Sequence, residues 1–448
     1  MFSDGSVAHG RRVLLLQGPI GPFFHRLAKY LEGRGATVFK VNLNGGDACF
    51  FPPWALPGRV FAFRGRPQAW RKYVGQLLRA QRIDAIVLFG DCRFYHRVAA
   101  HVARRLGVEV FVFEEGYIRP DYVTLERGGV NGFSQLPRDP EFYRQISGLI
   151  SVDPPKPVGP FVIWTTILFA VLYGIAGKLL GWYFPRYRHH RRHFSVRQAL
   201  LWLRSGVRKW VYRVQQRRVL PRLATELSQR YFLVTLQVHN DAQLVYHSRY
   251  RTIQQFIHEV VASFAAHADP DTYLVFKHHP MDRGFVNYRK LLERLAVKHG
   301  LGERLIYIHD LHLPTLLRHA RGAVMINSTV GPSALFHRTP VKVMGTATFD
   351  MPGLTHQGSL DSFWRDPQPA DRELFLSYRR YVIARTQLNG TFYSLRPFDW
   401  RQPGLAQLLG AVSSLERDIL GEGKVLPLAR RSEKQRSASP DLRLEKAE

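Results

Sequence analysis

Residues 83–113 read IDAIVLFGDCRFYHRVAAHVARRLGVEVFVF. An apolar run, Ile83–Phe89, stops at Gly90 and Asp91, a helical pattern occupies Tyr95–Leu106, and a second apolar run follows at Glu109–Phe113. Strand, helix and strand in that order make a crossover between parallel neighbours. Runs that are apolar on both faces belong to a sheet covered on both sides. Working outward, Arg12–Gln17 (RVLLLQ) and Thr37–Asn42 (TVFKVN) read as further strands of this block, with a helix over Pro22–Gly33. A second block repeats the alternation. Its strands are expected at Tyr231–Val238, Tyr273–Lys277, Leu305–His309, Gly322–Ile326 and Val341–Met344, with helices over Thr252–His267, Asn287–His299 and Leu313–Arg321. The fold class is therefore α/β: two doubly wound domains facing a cleft, with the loops at the carboxyl ends of the strands lining it.

The 448 residues suit two or three domains, and 45% apolar residues exclude wholesale disorder. Two cysteines, Cys49 and Cys92, cannot build a disulfide framework or a four-cysteine zinc site, and so few thiols fit a reducing compartment. A formal charge of +29 asks for a polyanionic partner: nucleic acid, an anionic membrane or a phosphorylated substrate. Its distribution narrows the choice. No acidic residue lies between Asp153 and Glu226, and that stretch contributes 14 of the net charge of +29 beside the most apolar run of the chain, Val158–Phe184, broken only by Lys178. No DNA- or RNA-binding module pattern accompanies the charge, so no nucleic-acid partner is expected.

The run from Val158 to Gly177 is about long enough to cross a bilayer. A span would leave its basic C-terminal side in the cytoplasm and the first half of the chain outside. The N-terminal MFSDGSVAHGRRVLLLQGPIG has too short an apolar run for a signal peptide, so a cytoplasmic location is expected. Within Ser195–Leu220, Val196, Leu200, Leu203, Val207, Trp210, Val211 and Val214 form one helical stripe among arginines and lysines, the pattern of an interfacial helix. Peripheral membrane attachment is the expectation; the alternatives are a helical pair packed on the core, and a true span. The expected domains are 1–150, a helical insert 151–225, 226–422, and a disordered tail 423–448.

Polar residues and glycines follow almost every expected strand. Gln17-Gly18-Pro19-Ile20-Gly21-Pro22 is not GxGxxG and lacks a P-loop lysine, so it is either a turn that needs glycine or an anion or sugar site. Asn44, Gly45 and Asp47 in VNLNGGD are placed to hold hydroxyls, and Asp91 ends the third strand; each alone is equally an ordinary polar loop. Glu114-Glu115-Gly116, with Arg119, Asp121 and Glu126 close behind, is sharper. Two carboxylates at the end of a buried strand raise one pKa and leave the other ionised, as acid–base or nucleophilic work requires. The alternative is an arginine-paired carboxylate closing a loop. In the second block, Lys277-His278-His279-Pro280 ends a strand, and a histidine there can donate to a phosphate oxygen; the alternative is a solvated basic loop. Asp282 is the only nearby carboxylate and no zinc spacing appears, so no metal is expected. Asp269-Pro270-Asp271 precedes a strand and reads as a turn. Asn327-Ser328-Thr329 opens a short helix, as an anion site or a simple N-cap. Gln237-Val238-His239-Asn240-Asp241 ends another strand, so three polar strand ends of this block are candidates for one cleft edge.

Glu-Glu-Gly, His-Pro and the Ser/Thr pair resemble the three short motifs of bacterial CMP-sugar glycosyltransferases of the GT-B fold. The runs LLLQGPIGPFF, VNLNGGD, FGDCRFYHR, FEEGYIRPDYVTLERGGVNG, LQVHNDAQ, FKHHP and INSTVG are similar to those of the KpsS/LipB family of capsule polysaccharide proteins. The resemblance implies two Rossmann-like domains of the GT-B kind; the apolar and basic insert between them is read from the sequence itself. It also implies a retaining β-Kdo transferase that uses CMP-Kdo, with no cofactor, to start a poly-Kdo linker on a phosphatidylglycerol-type lipid in Gram-negative bacteria that export capsule. Glu115, or its neighbour Glu114, falls on the catalytic carboxylate. His279 falls on the histidine that contacts the CMP phosphate, and Ser328 and Thr329 on the hydroxyl pair that holds it. Lys277, Pro280, Asn327 and Gln237 complete the candidate nucleotide-sugar set, and Gln17, Gly18, Asn44, Gly45, Asp91 and Arg119 the candidate acceptor or sugar contacts. The implied partners are an anionic lipid acceptor, the inner-membrane surface on its cytoplasmic side and other capsule biosynthesis or export proteins. Two other readings stand beside this one: a non-catalytic export scaffold, and a transferase for another CMP-sugar.

Overall fold

The computed structural model describes residues 10–159, 162–188, 196–239 and 242–410. The tail expected to be disordered, the first nine residues, and Asn240 and Asp241 lie outside the described residues. The chain forms two compact units, one from Met1–Gln135, Val152–His193 and Val382–Glu448, the other from Leu136–Ser151 and Phe194–Tyr381. Each is a Rossmann-like α/β unit, the pair of a GT-B-like fold.

The first unit contains β1 (Arg12–Leu15), β2 (Thr37–Asn42), β3 (Val60–Ala62), β4 (Ala85–Phe89), β5 (Glu109–Glu115) and β6 (Tyr122–Arg127). Five of these run parallel in the order β3-β2-β1-β4-β5. One edge of the sheet departs from this parallel order. There β6 and a late strand, Gln387–Asn389 (β12), add antiparallel. Alternation explains the uninterrupted apolar runs. Val13, Leu15, Val87, Phe111 and Phe113 pack on the helix Phe23–Glu32, while Leu14, Leu16, Ile86, Leu88 and Val112 pack on Trp70–Ala80 and Phe94–Arg105. Trp70 is fully buried and its indole N–H donates to the Tyr95 carbonyl at 2.8 Å. Truncating it to alanine is expected to cost about 3–5 kcal/mol.

The second unit contains β7 (Tyr231–Thr235), β8 (Tyr273–Lys277), β9 (Leu305–Ile308), β10 (Gly322–Met325) and β11 (Val341–Val343), all parallel in the order β9-β8-β7-β10-β11. The helix Ile253–His267 covers one face with Phe256, Val260 and Phe264, and it starts on a capping box between Thr252 and Gln255. Asp269-Pro270-Asp271 is part of the turn before β8, as expected.

The insert divides between the units. The apolar helix Val162–Leu179 belongs to the first and packs one face on the short helix Gly45–Phe50, with Phe169 buried against Phe50. Its other face leaves Ile163, Trp164, Leu168, Val171, Leu172, Ile175 and Leu179 exposed. The basic helix Val196–Gln215 belongs to the second unit. Arg204 donates to the Gly284 carbonyl and Arg208 to that of Arg283, while Leu200, Leu203, Val207, Trp210 and Val214 of the expected stripe are exposed.

Candidate active site

β5 brings the paired carboxylates to the carboxyl edge of the first sheet. The chain turns at Gly116, where a Cβ would lie 2.1 Å from the Tyr122 carbonyl oxygen, so a side chain has no room there. β6 then returns with Glu115 opposite Val123 and Glu114 opposite Thr124. Glu114 Oε1 accepts the Glu115 amide at 3.0 Å. Desolvation raises the Glu114 pKa to about 7; the Glu115 and Asp91 charges add to the rise, while the Glu115 amide and Arg93 oppose it. Glu115 is held differently: the Tyr393 hydroxyl donates to its Oε1 at 2.8 Å. One carboxyl is thus able to carry a proton near neutral pH, and its neighbour is oriented by a phenol.

The turn behind the pair is rigidly satisfied. The Tyr117 and Ile118 amides donate to Gln387 Oε1 at 3.0 and 3.4 Å. The Tyr117 and Ser134 hydroxyls both donate to Glu126 at 2.5 Å, and burial pushes Glu126 to about 7. Asp91 is buried, accepts the Val130 amide at 3.0 Å and closes that loop; its pKa is raised by burial. Arg119 is exposed and donates from Nε to the Gly116 carbonyl at 3.2 Å.

Gln17 and Asn44 meet under the apolar helix. Gln17 Nε2 donates to the Tyr173 hydroxyl at 2.8 Å and the Tyr187 hydroxyl at 3.1 Å, and Asn44 Nδ2 donates to Tyr173 at 2.8 Å. Asn44 also caps the helix Gly45–Phe50 by accepting the Asp47 amide. Gly18 lies against Phe24, and a Cβ on Gly45 would come 2.4 Å from the Ala176 carbonyl oxygen. The structure therefore gathers Gln17, Asn44 and Gly45 as the seat of the insert, with Gln17 and Asn44 both buried.

In the second unit, β8 delivers Lys277 and the two histidines. Lys277 is lowered from its ordinary pKa by desolvation and by Arg283, against the pull of Asp310. His278 is buried and its Nδ1 lies 2.7 Å from the Tyr307 hydroxyl. His279 Nδ1 accepts the Met281 amide at 3.2 Å, which places the proton of the neutral ring on Nε2 as a donor. Pro280 is exposed at the first position of the 3₁₀ turn Pro280–Asp282. Beyond β7 and β10, Gln237 Nε2 donates to Asn327 Oδ1 at 2.8 Å. Ser328 Oγ accepts the Val330 amide at 3.2 Å, and Thr329 is the N-cap of Val330–Phe336 without a side-chain cap bond. The carboxylates belong to the first unit, and the His-Pro and Ser-Thr pairs to the second.

Tyr393 and Gln387 are absent from the expectations. They reach the carboxylate turn from more than 260 residues away in sequence, and their segment, TQLNGTFY, has only a three-residue strand and no period to read. The Gly-Thr-Phe-Tyr aromatic pair after a short strand is the one local signal.

Residues 84–393 match the family described as capsule polysaccharide biosynthesis protein. The chain is 44% identical over 390 residues to the capsule polysaccharide export protein KpsS of Escherichia coli, covering 86% of this chain and 97% of that one. It is 40% identical over 387 residues to the capsule polysaccharide modification protein LipB of Neisseria meningitidis serogroup A, covering 85% and 91%. Among solved structures, the β-Kdo 2,7 transferase KpsC of Thermosulfurimonas dismutans aligns over 82% of this chain and 89% of that one at 15% identity, with a TM-score of 0.40. That likeness is too loose to bear on chemistry. The extent of the sequence matches is decisive: the chain belongs to the capsule polysaccharide biosynthesis protein family and is a KpsS/LipB-like capsule biosynthesis and export protein.

Proposed function

We propose that the chain is a retaining β-Kdo transferase that moves Kdo from CMP-Kdo to a phosphatidylglycerol-type lipid and so starts a poly-Kdo linker. The observation that carries this reading is the unequal carboxylate pair at the end of β5, with Glu114 raised to about 7 and Glu115 held by Tyr393 at 2.8 Å. In the double-displacement form, a Glu115 oxygen bonds to the anomeric carbon as the bond to the CMP oxygen breaks and its electrons leave with the phosphate. The acceptor hydroxyl then displaces the carboxylate, and its proton passes to a nearby base, a role that suits Glu114. In the front-face form the same carboxylate stabilises an oxocarbenium-like centre instead. His279 Nε2–H supports the departing phosphate as its charge develops.

The outer faces of the two insert helices fit the rest of the reading. Both expose apolar side chains within the stretch that carries 14 of the 29 net charges, as an anionic leaflet requires of a protein that lies on it. Such attachment puts the chain on the cytoplasmic side of the inner membrane, beside its lipid acceptor and the other capsule proteins. Paired Trp164→Glu and Leu172→Glu substitutions are expected to abolish flotation with phosphatidylglycerol liposomes; undiminished flotation removes the apolar helix from the membrane contact.

The transfer itself is tested by mass spectrometry of a short-chain phosphatidylglycerol after incubation with CMP-Kdo, beside a Glu115→Ala control. A gain of one Kdo that the control lacks is expected. No gain on any phosphatidylglycerol or lyso-lipid overturns the proposal in favour of another donor or a scaffold.

A further inference from the structure

The carboxyl ends of β7 and β8 carry a second arrangement, one that the three sequence motifs do not contain. Asp282, the last residue of the 3₁₀ turn after His279, is 1% exposed and gives both carboxylate oxygens to a single residue on the neighbouring strand end. Its Oδ2 accepts the His239 amide at 2.7 Å, and its Oδ1 lies 2.7 Å from His239 Nδ1. Among the described residues His239 is the only ion-pair partner of Asp282. A carboxylate buried this completely is costly unless its lone pairs are matched, and here the match is one imidazole held by its backbone and its ring.

The consequence is an oriented ring. With Nδ1 turned to the buried carboxylate, Nε2 lies on the opposite side of a side chain that is 37% exposed. The same turn fixes His279 in the same sense, because the Met281 amide engages its Nδ1. One four-residue turn, His279–Asp282, thus ties down the Nδ1 side of two imidazoles from adjacent parallel strands and leaves the Nε2 side of each turned away from it. Beside them, beyond the same β7, Gln237 bonds to Asn327 at the foot of the Ser-Thr pair.

We infer that His239 is a second phosphate-contacting residue of the nucleotide site, and that Asp282 is the positioning residue that aims it. The inference rests on the CMP-sugar reading above. When Nδ1–H is donated to the carboxylate, the charge of the doubly protonated ring is matched on its buried side, and Nε2–H is presented to a phosphate oxygen on the other. Two imidazole donors then share the leaving phosphate, one from each strand end, and no covalent step involves either.

Titration calorimetry of the full chain with CMP and with cytidine separates this role from a structural one, since only CMP carries the phosphate. His239→Ala is expected to weaken CMP binding about tenfold to a hundredfold, the size of a hydrogen bond to a charged group, and to leave cytidine binding unchanged. His239→Gln, whose amide reaches a similar place, restores part of the loss. Asp282→Asn weakens CMP binding in the wild-type background and adds nothing in the His239→Ala background, as coupling through the ring requires. The melting temperature of His239→Ala guards against simple unfolding. If the wild type prefers CMP to cytidine and His239→Ala keeps that preference, the inference is overturned while the donor reading stands. If the wild type itself shows no preference for CMP, the donor reading falls and takes the inference with it.

Discussion

The two units wind their sheets in the same order, yet they treat the point where the winding reverses in opposite ways. Doubly wound folds place ligands at that point, between β1 and β4 in the first unit and between β7 and β10 in the second. In the second unit the reversal point is left to strand-end groups: Gln237 beyond β7 bonds to Asn327 beyond β10. In the first, the matching glutamine, Gln17 beyond β1, is buried against Tyr173 and Tyr187 from the insert. The carboxylates of the first unit sit one strand further out, on β5, where an antiparallel edge absent from the second sheet holds them. A shared winding order therefore does not dictate where chemistry is placed; what is added at the edge and over the reversal point does.

Gly45→Ala tests the first half of that contrast, with the largest expected effect among the substitutions that probe it. Its Cβ would meet a backbone oxygen of the apolar helix at 2.4 Å, which cannot swing aside, so a loss of about 3 kcal/mol is expected in denaturant unfolding. Gly177→Ala, in the same apolar helix but with nothing within 4 Å of its Cβ, is expected to be neutral or slightly stabilising. Equal behaviour of the two would mean that the helix is not seated on the Gly45 loop.

Tyr393→Phe tests the second half. Loss of the 2.8 Å hydroxyl bond to Glu115 is expected to slow transfer about tenfold or more, with CMP affinity unchanged because the groups proposed to hold the nucleotide belong to the other unit. An altered CMP affinity with an intact rate would reverse the assignment.

A smaller effect separates the units by pH. Glu126 rises from the ordinary 4.5 to about 7 in the folded first unit, so the folded state holds more protons between those values. Its contribution to stability is full below about 4.5 and is lost as pH climbs to about 7. His309 of the second unit has the opposite sign. Burial and neighbouring positive charge lower it from 6.5 to about 3, so its contribution is present above 6.5 and is lost as pH falls towards 3. Melting temperatures across this range are expected to flatten on the rising side in Glu126→Gln and on the acid side in His309→Asn. A flattening on the same side in both would show that these two groups do not carry the slopes.

Much of this architecture was legible because parallel strands buried on both faces leave long apolar runs. Thr37–Asn42 and Tyr273–Lys277 are found where expected, and the ends of the other long strands move by one to three residues. The Glu-Glu-Gly turn was legible for a related reason: charge at the end of a buried strand has no cheap structural excuse. What escaped was short or distant. β3 and β12 have three residues each, too few for a period, and β6 follows a stretch whose carboxylates and arginine read as a loop. The seat of the insert was legible only in part. Gln17, Gly18, Asn44 and Gly45 read as a ligand-binding edge; in the structure Gln17 and Asn44 bond to the hydroxyls of Tyr173 and Tyr187, more than 120 residues along the chain, and the two glycines make room for neighbouring side chain and backbone. No local pattern distinguishes a hydroxyl of the protein from one of a substrate.

The most direct test of the central claim is single-turnover transfer by Glu115→Gln, measured beside its affinity for CMP. CMP binding equal to that of the wild type is expected, with Kdo transfer slowed by about a thousandfold or more, since the amide keeps the shape of the carboxylate without its charge. Transfer within about tenfold of the wild-type rate would contradict it, because the carboxylate at the end of β5 would then not be the group on which the chemistry turns.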